Sequence, residues 1–268
     1  MKKKLWITLA LGIVLTLVGC NMGGKLNLKL SEDEYYIDKN GLDPVVASSY
    51  TGTETFEKIK ELQIDTNITN IELISNTSEN YNVEIENLKS DYVSPIEAEE
   101  KNGVISISNK LLKQKPIGIL DEESSKLKLV IEGPIENIDK ISINDRVGSI
   151  SIKNATLKNV GIKGNAIDID LTDSTINKLN LDLELSDLSM SSTNISDSKL
   201  NLNKSRIFGE KNEFKGDNIL NFSIVEGELG LKNYDEIFNQ NTPNKIKLEG
   251  KLNRFEFINE RWKDHEIY

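Results

Sequence analysis

The chain has 268 residues, with 33 basic and 43 acidic side chains and a net charge of −10. An acidic surface repels nucleic acid and anionic lipid headgroups, so a DNA-binding or polybasic membrane-docking role is disfavoured. One Cys and one His are too few for a disulfide or a multi-residue thiolate or imidazole metal site.

The N-terminus sets the compartment. Lys2, Lys3 and Lys4 precede an apolar run from Leu5 to Val18 that ends in Gly19-Cys20. The run is 14 residues long, shorter than the ~20 that a membrane-spanning helix needs. It reads as a secretory signal over residues 1–19. Removing its three lysines leaves 30 basic residues against 43 acidic and a net charge of −13.

Residues 20–54 read as the lipid-bearing cysteine and a tether, with Gly23-Gly24, an acidic patch at Glu32-Asp33-Glu34 and a short strand near Lys25–Leu30. Residues 55–137 carry period-two alternation in the pairs Leu62/Ile64, Ile71/Leu73 and Ile105/Ile107, the mark of strands with one buried face. This N-terminal β region either begins the regular part or caps it, with Leu111–Ser125 as an inserted loop.

From 138 to 235 the chain repeats itself. Ile138, Leu157, Ile176, Ile195 and Phe214 each follow the last by 19 residues, and Ile143, Ile162, Leu181, Leu200 and Ile219 form a second such column. A third runs Ile150, Ile169, Leu188, Ile207, and beyond Phe214 the apolar residues Leu220, Phe222 and Ile224 fall one position late. Within a unit the alternation is strict, as in Leu179-Asn180-Leu181-Asp182-Leu183. A self-similar unit of about 20 residues with two short strands predicts an all-β fold: a single-stranded parallel β-solenoid of 19–20-residue coils with an N-terminal β cap. Coils stack about 4.8 Å apart and share one core. Residues 236–268 complete the chain, with a last strand at Asn253–Phe257 and a charged tail from Asn259 that helps to cover the open edge.

The tetrapeptide Leu17-Val18-Gly19-Cys20 resembles the lipobox of bacterial lipoproteins at all four positions, which implies lipidation of Cys20 and a protein held at the extracytoplasmic face of the membrane without spanning it. Two acyl chains give the persistent anchoring that one does not. Together with the lipobox, the segments "FEKIKELQIDTNITNIELISN", "NGVISISN" and "KISINDRVGSISIKN" resemble a bacterial family of extracytoplasmic β-solenoid domains of unknown function, the "putative adhesin" family, found on lipoproteins or beside membrane signalling proteins. The resemblance covers residues 55–235. It implies a fold and a location and supplies no catalytic residues.

Candidate sites are few. Asp168 and Asp187 stand 19 apart and Arg206 follows in the same column, a candidate binding surface and equally a solvated column of a regular sheet. Asp170 lies beside them, and the three carboxylates admit a second reading, a polysaccharide lyase or hydrolase. No EF-hand loop supports calcium, and no metal site or cofactor is expected. Asn154, Asp173 and Ser192 form a column of short polar residues expected to cap corners by bonding to backbone. Lys140, Arg146, Lys153 and Lys163 are suited to an anionic wall polymer but fall in no single column. His265 lies in the tail and reads as a solvated side chain. The first reading is a non-catalytic lipoprotein that presents a solenoid surface to an envelope protein or polymer, as an accessory to a membrane signalling or transport system; a mechanical spacer is the third.

Overall fold

In the computed structural model the described residues are 27–29, 34–38, 41–44, 50–87, 94–110, 127–239, 242–251 and 253–260. The lipobox at Leu17–Cys20, the segment 111–126, and the tail from 261, with Trp262 and His265, lie outside them.

Strands dominate. Nine form one sheet, the first face, which takes in Val104–Ser108, Glu61–Thr66, Lys140–Asp145, Val160–Asn165, Leu179–Glu184, Lys199–Asn203, Asp217–Ser223 and Lys245–Lys251 in that order, with Glu97–Lys101 at the outer edge. A thirteen-stranded sheet supplies the other two faces. Its second face runs from Leu127–Gly133 and Thr69–Ser75 through Gly148–Lys153, Ile167–Thr172 and Asp187–Ser191 to Arg206–Lys215 and beyond. The third face is narrow, made of Thr156–Leu157, Thr175–Ile176, Asn194–Ser196 and the end of Arg206–Lys215. Each turn of the chain therefore has three sides, and the two strands per unit expected from alternation become three. The third strand is two or three residues long, too short to show a period.

Pairing is parallel along the repeat. Val160 faces Leu179, Asp168 faces Asp187 and Ile176 faces Ile195. Inward residues form one continuous core, with Ile162, Leu181, Leu200, Ile169, Leu188, Ile207, Ile176 and Phe214 all nearly inaccessible. Ile219 departs from its predicted column: Leu200 pairs with Leu220 and Ile219 is 38% exposed. The cause is one extra residue at a corner, where Ser196 pairs with Lys215 but Lys199 pairs with Ile219. Gly216, at φ +67°, takes up that residue.

The corners explain how stacked flat strands turn. Ala166, Leu185, Lys204 and Ile224 adopt left-handed φ at one corner, and Asn154, Asp173, Ser192 and Lys211 do so at the next. Asn154, Ala166, Asp173, Leu185, Ser192, Lys204 and Ile224 each donate the N–H to a carbonyl one coil on, as Asp173 does to Ser191 O at 2.9 Å. Side chains at these positions point outward, so Leu185 and Ile224 are exposed at 56% and 49% although both are apolar. Asn154, Asp173 and Ser192 thus act through backbone conformation. Where the buried residue that follows a corner is polar, it supplies side-chain bonds: Ser174 Oγ accepts from Ala155 N, Thr193 Oγ1 donates to Leu171 O, and Asn212 Oδ1 accepts from Thr193 N.

The region before residue 138 does not stack in chain order. Val104–Ser108 and Leu127–Gly133 pair in parallel with Glu61–Thr66 and Thr69–Ser75, on the side away from the repeat. Beyond them Glu97–Lys101 pairs antiparallel with Val104–Ser108, Tyr81–Asn87 with Leu127–Gly133, and Tyr50–Phe56 with Tyr81–Asn87. At the far end Phe222, Phe255, Phe257 and Phe238 pack edge to face in sequence and Tyr234 lies tilted against Phe238, with centroids 4.6–5.4 Å apart.

Candidate binding faces

Asp168, Asp187 and Arg206 occupy consecutive rungs of the second face, each opposite the next. Arg206 forks onto Asp187, with Nε donating to Oδ1 at 2.8 Å and Nη2 to Oδ2. The guanidinium is held above its ordinary pKa by that hydrogen bond and then by the Asp187 charge. Asp170, one step along its strand, accepts from Thr172 Oγ1 at 2.7 Å and pairs with Lys153 Nζ at 3.3 Å. The predicted column is real, and its charges are largely committed to one another. Neither of the two hollows described next lies over it.

The hollows lie on the first face and over the corner beside it. Gln63, Ser142, Gly161, Asn180 and Lys199 stand directly opposite one another across five rungs. In the neighbouring column Asp65, Asn144, Lys163, Asp182 and Asn201 do the same. Together with Lys140 they line a shallow trough of about 590 Å³. A second hollow, about 800 Å³, shares Asn144, Lys163 and Asp182 with the first and extends over the corner to Arg146 and Glu184.

Three of the four basic residues singled out in the sequence therefore converge. Lys140 and Lys163 meet in the trough and Arg146 lies in the adjoining hollow, while Lys153 belongs to the other face. They looked scattered because they sit at different steps of different strands. Lys199 and Asn180 were missed; the signal was available in the 19-residue register, which carries Gly161 to Asn180 and then to Lys199. Among the described residues, no cluster of His, Cys, Asp and Glu could hold a metal ion.

A model of the Toastrack DUF4097 family matches residues 59–246. The chain belongs to this family. The match takes in the parallel rungs from Glu61–Thr66 to Glu226–Leu231, including the trough and the Asp168 column. Among solved structures, the Toastrack chain is similar to a "putative adhesin" of Bacteroides fragilis NCTC 9343, at 14% identity and a TM-score of 0.39 over 78% of this chain and 97% of that one. It is also similar to a "putative cell adhesion protein" of Clostridium sporogenes ATCC 15579, at 12% identity and a TM-score of 0.42 over 79% and 100%. No curated protein matches it. None of the described helices is long and apolar enough to cross a membrane.

Proposed function

We propose that this Toastrack chain is a lipid-anchored, extracytoplasmic, non-catalytic protein that presents solenoid faces to an envelope protein or polymer. The observation that carries the reading is the run of straight outward columns from Lys140 to Glu226, joined by corners of one or two residues, with no inserted loop to wall a cleft. Such a surface suits long, shallow contacts. The Leu17–Cys20 lipobox supports the anchor and the compartment. An accessory role beside a membrane signalling or transport system fits that placement.

The enzymatic reading gains little from the geometry. A general acid and base need environments that hold them in different protonation states inside a water-poor site. Asp187 is gripped by Arg206 and Asp170 by Lys153 on an open face.

The test is photo-crosslinking in cells, with probes at Asp168 and Asp187 on the second face and at Asn180 on the first, followed by mass spectrometry. A dominant envelope protein or glycan adduct supports the reading. No adduct from either face leaves a mechanical spacer in its place. Cys20→Ser tests the anchor separately: labelled palmitate should no longer be incorporated, and the protein should leave the membrane fraction.

A further inference from the structure

Glycine is costly inside a strand and usually has a visible cause: a positive φ, or a neighbour too close for a side chain. Most of the described glycines have one. Gly148 and Gly227 combine positive φ with a carbonyl that a methyl would overlap, Gly216 has φ +67°, and at Gly209 a Cβ would stand 2.8 Å from Met190 O. Gly161 has neither reason. The nearest atom to a Cβ built there is Ile141 O at 4.0 Å, and φ is not positive. It is also the middle rung of the trough, between Ser142 and Asn180, so its missing side chain is what deepens the floor.

The rim supplies a second, independent observation. On this ladder Lys204 pairs with Glu184 and Lys247 with Glu249, and on the second face Lys153 and Arg206 pair with Asp170 and Asp187. Lys140, Lys163 and Lys199 line the trough with no ion pair or side-chain hydrogen bond among the described residues. They outnumber the two carboxylates of the lining, Asp65 and Asp182, and Asp65 already accepts from Asn144 Nδ2 at 2.7 Å. The trough is thus a locally cationic strip on an acidic chain. Lys163 and Lys199 stand two rungs apart, about 10 Å along the axis.

We propose that this trough is a binding site for an acidic sugar chain, one carrying carboxylate or phosphate groups along a polyhydroxyl backbone. The assignment deepens the binding reading given above and rests on it. The three ammonium groups meet the acid groups as point charges. Gln63, Ser142 and Asn180 offer the donors and acceptors that hydroxyls need. Gly161 lets the sugar ring lie against the strand backbone. The straight column lets successive residues of the polymer follow successive rungs, and the adjoining hollow continues the path toward Arg146.

The experiment is calorimetric titration of the full-length lipoprotein in neutral detergent with three probes: oligogalacturonate, a phosphomannan and uncharged dextran. Binding of one or both acidic polymers, weakening with added salt, and none of dextran is expected; uronate against phosphate tells which acid is preferred. Gly161→Val fills the floor while adding a strand-favouring side chain, so it should hold or raise the unfolding midpoint and weaken binding about tenfold or more. Lys163→Gln with Lys199→Gln should weaken binding comparably and reduce its salt dependence, which keeps the test open should the valine variant misfold. If neither acidic polymer binds, or both variants bind as the parent does, the assignment is wrong. If crosslinks in cells form at Asp168 or Asp187 while these titrations fail, the assignment falls alone; if crosslinks form on neither face, the wider reading falls with it.

Discussion

Arg206 reaches back one rung to grip Asp187, donating from Nε to Oδ1 at 2.8 Å across 19 residues of chain. Asp168 stands one rung beyond and Glu226 faces Arg206 on its other side, so the guanidinium offsets the repulsion among three carboxylates. Arg206→Gln should lower the unfolding midpoint slightly, and Arg206→Glu, which adds a fourth carboxylate to the row, should lower it more. Both deficits should shrink between 0.05 M and 1 M salt, where the screening length falls to ~3 Å. Thermal melts at the two salt levels check this. Equal deficits at both would mean that the lost packing of the Arg stem, not its charge, matters.

Asn212 is fully buried and bonds twice to the coil before it, on either side of one corner: Oδ1 accepts from Thr193 N at 3.0 Å and Nδ2 donates to Met190 O at 3.0 Å. Asn212→Ala strands a buried N–H and a buried carbonyl. The expected loss is about 2–3 kcal/mol by denaturant titration, well above the ~1 kcal/mol of an ordinary hydrogen bond, because desolvation is no longer offset. A loss under ~1 kcal/mol would mean that water reaches this corner.

How much of this was legible depends on period. The inward columns could be read because strand alternation and the 19-residue repeat reinforce each other, and Ile162, Leu181 and Leu200 are buried as the sequence requires. Ile219 was misplaced because one residue added at Gly216 shifts everything after it. The reversed stacking of Val104–Ser108 and Leu127–Gly133 ahead of Glu61–Ser75 was invisible, since these strands share the alternation but not the register. The Asp168 column was found because its members share one register. The trough was not, because its lysines come from two columns and an outer position, and only the pleat and corner geometry bring them to one rim.

Corner conformation gives opposite signs at two nearby sites. Gly227 has φ +137°, and a methyl there would overlap Ile207 O of the rung before. Gly227→Ala should cost about 2–4 kcal/mol. Ile224, three residues earlier, holds a β-branched side chain at φ +58° while 49% exposed. Left-handed backbone costs such a residue about 1–2 kcal/mol, and asparagine tolerates it better. Ile224→Asn should therefore raise stability by ~0.5–1 kcal/mol after loss of the side chain's remaining contacts. Urea titration of both variants tests the pair; destabilisation by Ile224→Asn would show that those contacts outweigh the strain.

Tyr81 carries a pH dependence with a defined sign. Its ring is 3% exposed, and its hydroxyl donates to Pro134 O at 3.1 Å. Burial, and then the nearby Glu136 charge, raise its pKa above the ordinary 10.0. The folded state therefore holds the proton more tightly than the unfolded chain does. The stabilisation from this group is complete below pH ~10 and is lost as pH rises through the folded value. Tyr81→Phe removes the bond and the titration together. At pH 8 it should cost about 1 kcal/mol. The gap between the two proteins should close as the medium is taken toward pH 11, because the parent must then either ionise a buried phenol or unfold. Every other side chain is common to the two proteins, so the difference between their urea midpoints isolates this one group. A gap that stays constant from pH 8 to 11 would mean that the phenol titrates alike in both states and that its burial is not maintained in solution.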